Sequence, residues 1–138
     1  MSTLSAANTR TANTATDFLP LQGTDYVEFY VGNAKQAAHF YQSAFGFQPL
    51  AYAGPETGVK DKVSYVVRQN NLTFVFTTAL YPDHPVAQHV QLHGDGVRAL
   101  ALRVGDATSA WNETTSRGGT SCMEPATLTD KWGEVVMS

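Results

Sequence analysis

Two joints in this chain constrain its fold more than any other feature. Each follows a run of alternating apolar residues, and each pairs a glycine with a helix-capping side chain: Gly32-Asn33 and Gly105-Asp106. Before the first joint, Asp25 to Val31 reads DYVEFYV. Val27, Phe29 and Val31 fall on one face, and Tyr26, Glu28 and Tyr30 on the other. Period two in aromatic and β-branched residues predicts a strand. Asn33 can accept a free N–H of the next turn, and Gln36 stands where it can complete a capping box. Ala34, Ala37, Ala38, Tyr41, Ala44 and Phe45 then recur at helical spacing, and Gly46 stands where a left-handed terminator is wanted. The second joint repeats the device. Val97 to Val104 alternates, with Leu100, Leu102 and Val104 expected on the buried side. Asp106 caps a helix carrying Ala107, Ala110, Trp111 and Thr114, which Gly118-Gly119 ends.

The segments between the joints complete the pattern. A strand over Phe47 to Ala53 is interrupted by Pro49, which suits an edge. Val63 to Arg68 and Leu72 to Thr78 are joined by Asn70-Asn71, a hairpin turn that tolerates positive φ. Pro85 opens a short helix carrying His89 and His93, closed by Gly94-Asp95-Gly96. After the second helix, Cys122 to Leu128 is irregular or weakly extended. Lys131-Trp132-Gly133 is a turn, and Glu134 to Met137 starts a last strand. The order is strand, helix, three strands, then strand, helix, two strands. That is an α+β chain of paired βαβββ units, which curl a mixed sheet around a cleft. The last strand stops after a few residues with no turn behind it, so the expectation is a fragment truncated in that strand.

Composition removes several classes of function. The 138 residues amount to one domain. The net charge of −3 and pI near 5.7 offer no basic footprint for nucleic acid. A single cysteine, Cys122, forms no intrachain disulfide. No stretch has the apolar length of a membrane span, and the amino terminus has no signal-peptide core, so the expected compartment is the cytoplasm. Residues 1–16 are rich in Ser, Thr, Ala and Asn and read as a disordered tail, leaving 17–138 as the folded part. Charged residues make up only 15% against about 25% in ordinary domains, as expected of a surface covered by partners.

The residues alone assign little chemistry. His89 and His93 are spaced i, i+4 and would share a helix face, but Val90 stands where a zincin-type motif has Glu, and neither flank adds a third ligand. A surface or structural role is the expectation there, as it is for His39 and for His84, which carries no motif. Cys122 has no neighbouring base to activate it. Asp25, Glu28, Glu56, Glu124 and Glu134 form no acid/base dyad in sequence.

Three stretches carry a family resemblance: VGNAKQAAHFYQSAFGFQPLAYAGPETG (Val31 to Gly58), HGDGVRALALRV (His93 to Val104), and the GDA…GG…EP pattern ending at Pro125. They resemble the amino-terminal domain of the 4-hydroxyphenylpyruvate dioxygenases, of the vicinal oxygen chelate superfamily, with hydroxymandelate synthase as the close relative. The resemblance implies a glyoxalase-like fold. It also implies an enzyme that converts 4-hydroxyphenylpyruvate to homogentisate in tyrosine catabolism, using Fe(II) held by two His and one Glu. In that family the iron belongs to the carboxyl-terminal half. Here Tyr26 stands where that half has its first His, and Ala99 where it has its second. Glu134 is the only late carboxylate near the third position. The resemblance therefore implies no catalytic, cofactor-binding or metal residue in this chain. It implies a structural half whose partners are its own carboxyl-terminal domain and further copies in a homo-oligomer, with Tyr26, Tyr30 and Trp132 as candidate contact aromatics. Two other readings stay open: a stand-alone glyoxalase-like metalloenzyme, and a small-ligand-binding module of the same fold.

Overall fold

The structure is a computed structural model and describes residues 17–131 and 133–138. The expectations for residues 1–16 and for Trp132 lie outside the described residues. In chain order the elements are β1 (Leu21–Tyr30), α1 (Ala34–Phe45), β2 (Gln48–Ala53), β3 (Lys62–Gln69), β4 (Leu72–Ala79), α2 (Pro85–His93), β5 (Gly96–Val104), α3 (Ala107–Ser116), β6 (Ala126–Asp130) and β7 (Gly133–Met137). A short 3-10 turn, Pro55–Thr57, follows β2. The described residues divide into two compact units, one over Leu21–Gly105 and the other combining residues 17–20 with those from Asp106 onward.

In the first unit five strands form one mixed sheet in the order β2-β3-β4-β1-β5. β1 runs parallel to β4, and every other pairing is antiparallel. The parallel pair needs a long crossover, which α1 and the β2–β3 hairpin supply. Pro49 lies in β2, which is an edge strand with an irregular register beside that proline.

The first joint is built as its residues demand. Asn33 Oδ1 accepts from the Gln36 N–H at 3.0 Å, and Gly46 takes φ +76° at the helix end. Ala34 and Ala38 are fully buried, because only a small side chain lets the helix lie close against the sheet. The core beneath α1 gathers Val31, Phe47, Val67 and Phe76, ringed by Phe29, Tyr41, Tyr65 and Phe74. Phe76 stacks on Phe29 and Tyr41 at centroid distances of 5.2 and 5.1 Å, a favoured aromatic spacing. Asp95, from the Gly-Asp-Gly stop after α2, fastens the joint. Its Oδ1 accepts from the Gly32 N–H at 2.8 Å, while Thr78 Oγ1 donates to the Gly32 carbonyl at 3.0 Å.

In the second unit Asp106 Oδ1 accepts from the Ser109 N–H at 3.0 Å and caps α3. Trp111 Nε1 donates to Ser121 Oγ at 2.8 Å, and the Arg117 guanidinium lies 3.6 Å over the Phe18 ring. β6 and β7 pair as a two-stranded antiparallel ladder.

Four local readings need correction. Residues 126–128, expected as irregular or weakly extended chain, belong to the regular strand β6, because pairing with β7 satisfies their backbone. Leu100 and Leu102 are 58% and 47% exposed rather than buried, because β5 is the outer strand of its sheet. Ala44 and Phe45, expected on the apolar stripe of α1, are exposed, so the buried stripe ends a turn early. Tyr26 and Tyr30 are half-buried rather than exposed, while Phe18, Phe40, Phe45, Tyr52 and Tyr81 are exposed.

Candidate functional site

Strand alternation gives the five-stranded sheet a second face, turned away from the Phe29–Phe76 core. Register places its residues. On β1 and β5, Tyr26 lies opposite Ala101 and Glu28 opposite Ala99. On β3 and β4, Ser64 lies opposite Thr77. A line of polar groups crosses three strands here. Thr77 Oγ1 donates to Glu28 Oε1 at 2.9 Å, so it must accept from Ser64 Oγ, also at 2.9 Å. Thr77 is completely buried, and the relay accounts for its hydroxyl. Sequence spacing could not pair Glu28 with Thr77. The available signal was parity, which put Glu28 between two tyrosines on the face away from the core.

The two positions singled out by the family resemblance, Tyr26 and Ala99, lie on this face of β1 and β5, two rungs apart along the ladder. A ligand set at those positions would meet there. The side chains present do not fit one. Ala99 and Ala101 carry methyl groups. The Tyr26 phenol is held above its ordinary pKa, first by burial and then by the Glu28 and Asp25 charges, which disfavours the phenolate a metal would need. Glu28 is the remaining carboxylate and already accepts from Thr77. Among the described residues no three His, Cys, Asp or Glu side chains gather as a metal site. An iron held by two His and one carboxylate therefore does not fit the residues of this face.

The other candidates are dispersed. Asp25 is paired with Arg103. Glu56 accepts from the Tyr52 hydroxyl at 2.6 Å, which lowers the Glu56 pKa and pushes Tyr52 up to about 12. Glu134 is exposed on β7 opposite Thr129, Glu124 is exposed, and Cys122 is exposed with a free thiol. His39 is exposed and bonded to Ser43 Oγ at 3.3 Å. His84, which carried no motif, has a defined task. It is the N-cap of α2, where its Nδ1 accepts from the Val86 N–H at 3.1 Å. Its Nε2 must then carry the proton and donate to Asp61 Oδ2, at 3.2 Å. The Asp61 carboxyl is lowered, first by backbone hydrogen bonding and further by His84. The position immediately before Pro85 was the sequence signal for that cap. His89 and His93 face each other on α2 with ring centroids 4.8 Å apart, and the Tyr30 ring meets His89 edge-on at 5.4 Å.

The sequence pattern of the Glyoxalase/Bleomycin resistance protein/Dioxygenase superfamily matches residues 23–135. The chain belongs to this superfamily. Among curated members it is 41% identical over 119 residues to a 4-hydroxyphenylpyruvate dioxygenase of Dictyostelium discoideum, a match covering 86% of the chain and 32% of that protein. It is 44% identical over 111 residues to the enzyme of the same name from Danio rerio, covering 80% of the chain and 28% of that protein. Among solved structures, a triple mutant of 4-hydroxymandelate synthase from Streptomyces coelicolor superposes with a TM-score of 0.79 at 35% identity, over 86% of this chain and 34% of the other. The superfamily fold, α+β with a mixed sheet, is thus shared. The chain spans about a third of the length of the curated relatives it matches. No helix among the described residues is long and apolar enough to cross a membrane.

Proposed function

We propose that this chain is the amino-terminal domain of a 4-hydroxyphenylpyruvate dioxygenase, the Fe(II)-dependent enzyme that makes homogentisate in tyrosine catabolism. Its role is structural. It folds the first third of the protein and presents surface to the remainder, while the iron and the reacting substrate belong to residues outside this chain. The observation that carries the reading is the 41% identity along 86% of the chain to an enzyme of that name, joined to a sheet face whose residues do not suit the iron. The exposed aromatics Phe40, Phe45 and Tyr81 and the open strand β5 are the contact surface assigned to its own carboxyl-terminal domain and to further copies of the enzyme. The cytoplasm is the compartment that suits it.

The test is enzymatic. The 138-residue chain, supplied with Fe(II), ascorbate and 4-hydroxyphenylpyruvate, is expected to consume no oxygen and release no homogentisate. The product of the complete reading frame is expected to do both. Turnover by the chain alone, or a stop codon directly after Ser138 in an intact gene, would refute the proposal.

A further inference from the structure

α2 carries two imidazoles that the proposed function does not use. His89 is half-buried and His93 is exposed, so both are within reach of solvent. Neither ring takes part in a hydrogen bond among the described residues, unlike His39 with Ser43 and His84 with Asp61. The ring centroids are 4.8 Å apart with the planes at 50°. Tyr30 packs edge-on against His89 at 5.4 Å, which limits how that ring can turn.

This spacing can be compared with what chelation requires. A metal ion about 2.0–2.1 Å from one nitrogen of each ring lies about 3.2 Å from each ring centroid. Bite angles between those of square-planar and tetrahedral centres then put the centroids about 4.5–5.2 Å apart. The observed 4.8 Å falls inside that interval. Adjacent turns of one helix supply the pair, so both rings hang from the same stretch of backbone.

We propose that His89 and His93 form a two-imidazole clamp for a late first-row divalent metal ion of the Zn²⁺, Ni²⁺ and Cu²⁺ class, with water completing the shell. Imidazole suits these ions, and the nearest carboxylate in sequence, Asp95, already accepts from the Gly32 N–H. The clamp lies on a helix and uses none of the residues at the family's iron positions. It is therefore independent of the dioxygenase reading, and either can fail alone.

The experiment is a calorimetric titration of the 138-residue chain with ZnCl₂, followed by Cu²⁺ paramagnetic resonance. One ion per chain is expected, with two equivalent nitrogen couplings in the copper spectrum. His89→Ala and His93→Ala should each weaken binding at least tenfold, while His39→Ala leaves it unchanged. Should an alanine variant fold poorly, His89→Gln and His93→Gln replace it. Amide shifts of the wild-type chain on adding Zn²⁺ give a second reading, expected to centre on residues 89–93. Equal affinity in the wild type and the His89→Ala/His93→Ala double variant, or shifts centred elsewhere, would overturn the clamp.

Discussion

Replacing Thr77 by valine removes one oxygen from the centre of the sheet and keeps the shape of the side chain. The hydroxyl makes two bonds, accepting from Ser64 and donating to the Glu28 carboxylate, both at 2.9 Å. A bond to a charged group contributes about 1.5–3 kcal/mol and a neutral one about 0.5–1.5 kcal/mol. Thr77 is fully buried, so water cannot replace the lost oxygen in the substituted protein. The half-buried Glu28 recovers part of its loss by hydration. The expected cost is about 2–4 kcal/mol, read as a lower urea midpoint with an unchanged m-value. In a chain of this size that lowers Tm by about 8–16 °C, at about 4 °C per kcal/mol. Ser64→Ala should cost about 1 kcal/mol, since only the neutral bond is lost. The double variant should fall short of the sum by about 1 kcal/mol, because the Ser64–Thr77 bond is absent from both single variants. Strict additivity, or a loss below about 0.5 kcal/mol for Thr77→Val, would show that the three groups do not act as one relay.

Other outcomes follow from the same geometry. Phe76→Ala empties the space between Phe29 and Tyr41 and should cost about 3–5 kcal/mol in chemical denaturation. Gly54→Ala should unseat Tyr52, because an added Cβ would collide with the Tyr52 hydroxyl and ring edge. In spectrophotometric titration the wild type should show one tyrosine ionising near 12, and Gly54→Ala or Glu56→Gln should return it towards its ordinary value of 10. The folded pKa of Tyr52 is the raised one. Its contribution to stability is therefore complete below pH 10 and lost as pH rises through about 12. His84→Ala removes the α2 cap and the tie to Asp61, and should cost about 1 kcal/mol at neutral pH by thermal melting. Asp61 has the opposite sign. Its folded pKa is lowered, so its contribution holds above the ordinary carboxylate value and is lost as pH falls through the lowered one. The stability gap between His84→Ala and wild type should therefore narrow in acid.

Much of this chain was legible because its signals are local. Asn33 and Asp106 cap the helices they were expected to cap, since a capping bond spans three residues and needs no tertiary partner. The turn at Asn70, with φ of 51°, and the edge position of the strand holding Pro49 are likewise properties of one or two residues. Alternation in DYVEFYV set the two faces of β1 before any partner was known. The missed features depend on what pairs with or packs against a segment, which its own residues do not state. Leu100 and Leu102 had the pattern of a covered strand, but whether a face is covered depends on what packs there, and β5 is an edge. For His84 the bond to Val86 is local, while Asp61, its second partner, lies in the loop before β3.

The candidate site divides along the same line. The sequence by itself determined which donor types stand at the positions of interest: a phenol at Tyr26, a methyl at Ala99, and imidazoles four residues apart at His89 and His93. Only the tertiary structure decided which of them meet. Strand register brought Tyr26 and Ala99 onto one sheet face and set Glu28 against a buried threonine forty-nine residues away. Coordination and hydrogen bonding act over about 2–3 Å, a scale on which separation along the chain carries no information once strands pair across a sheet.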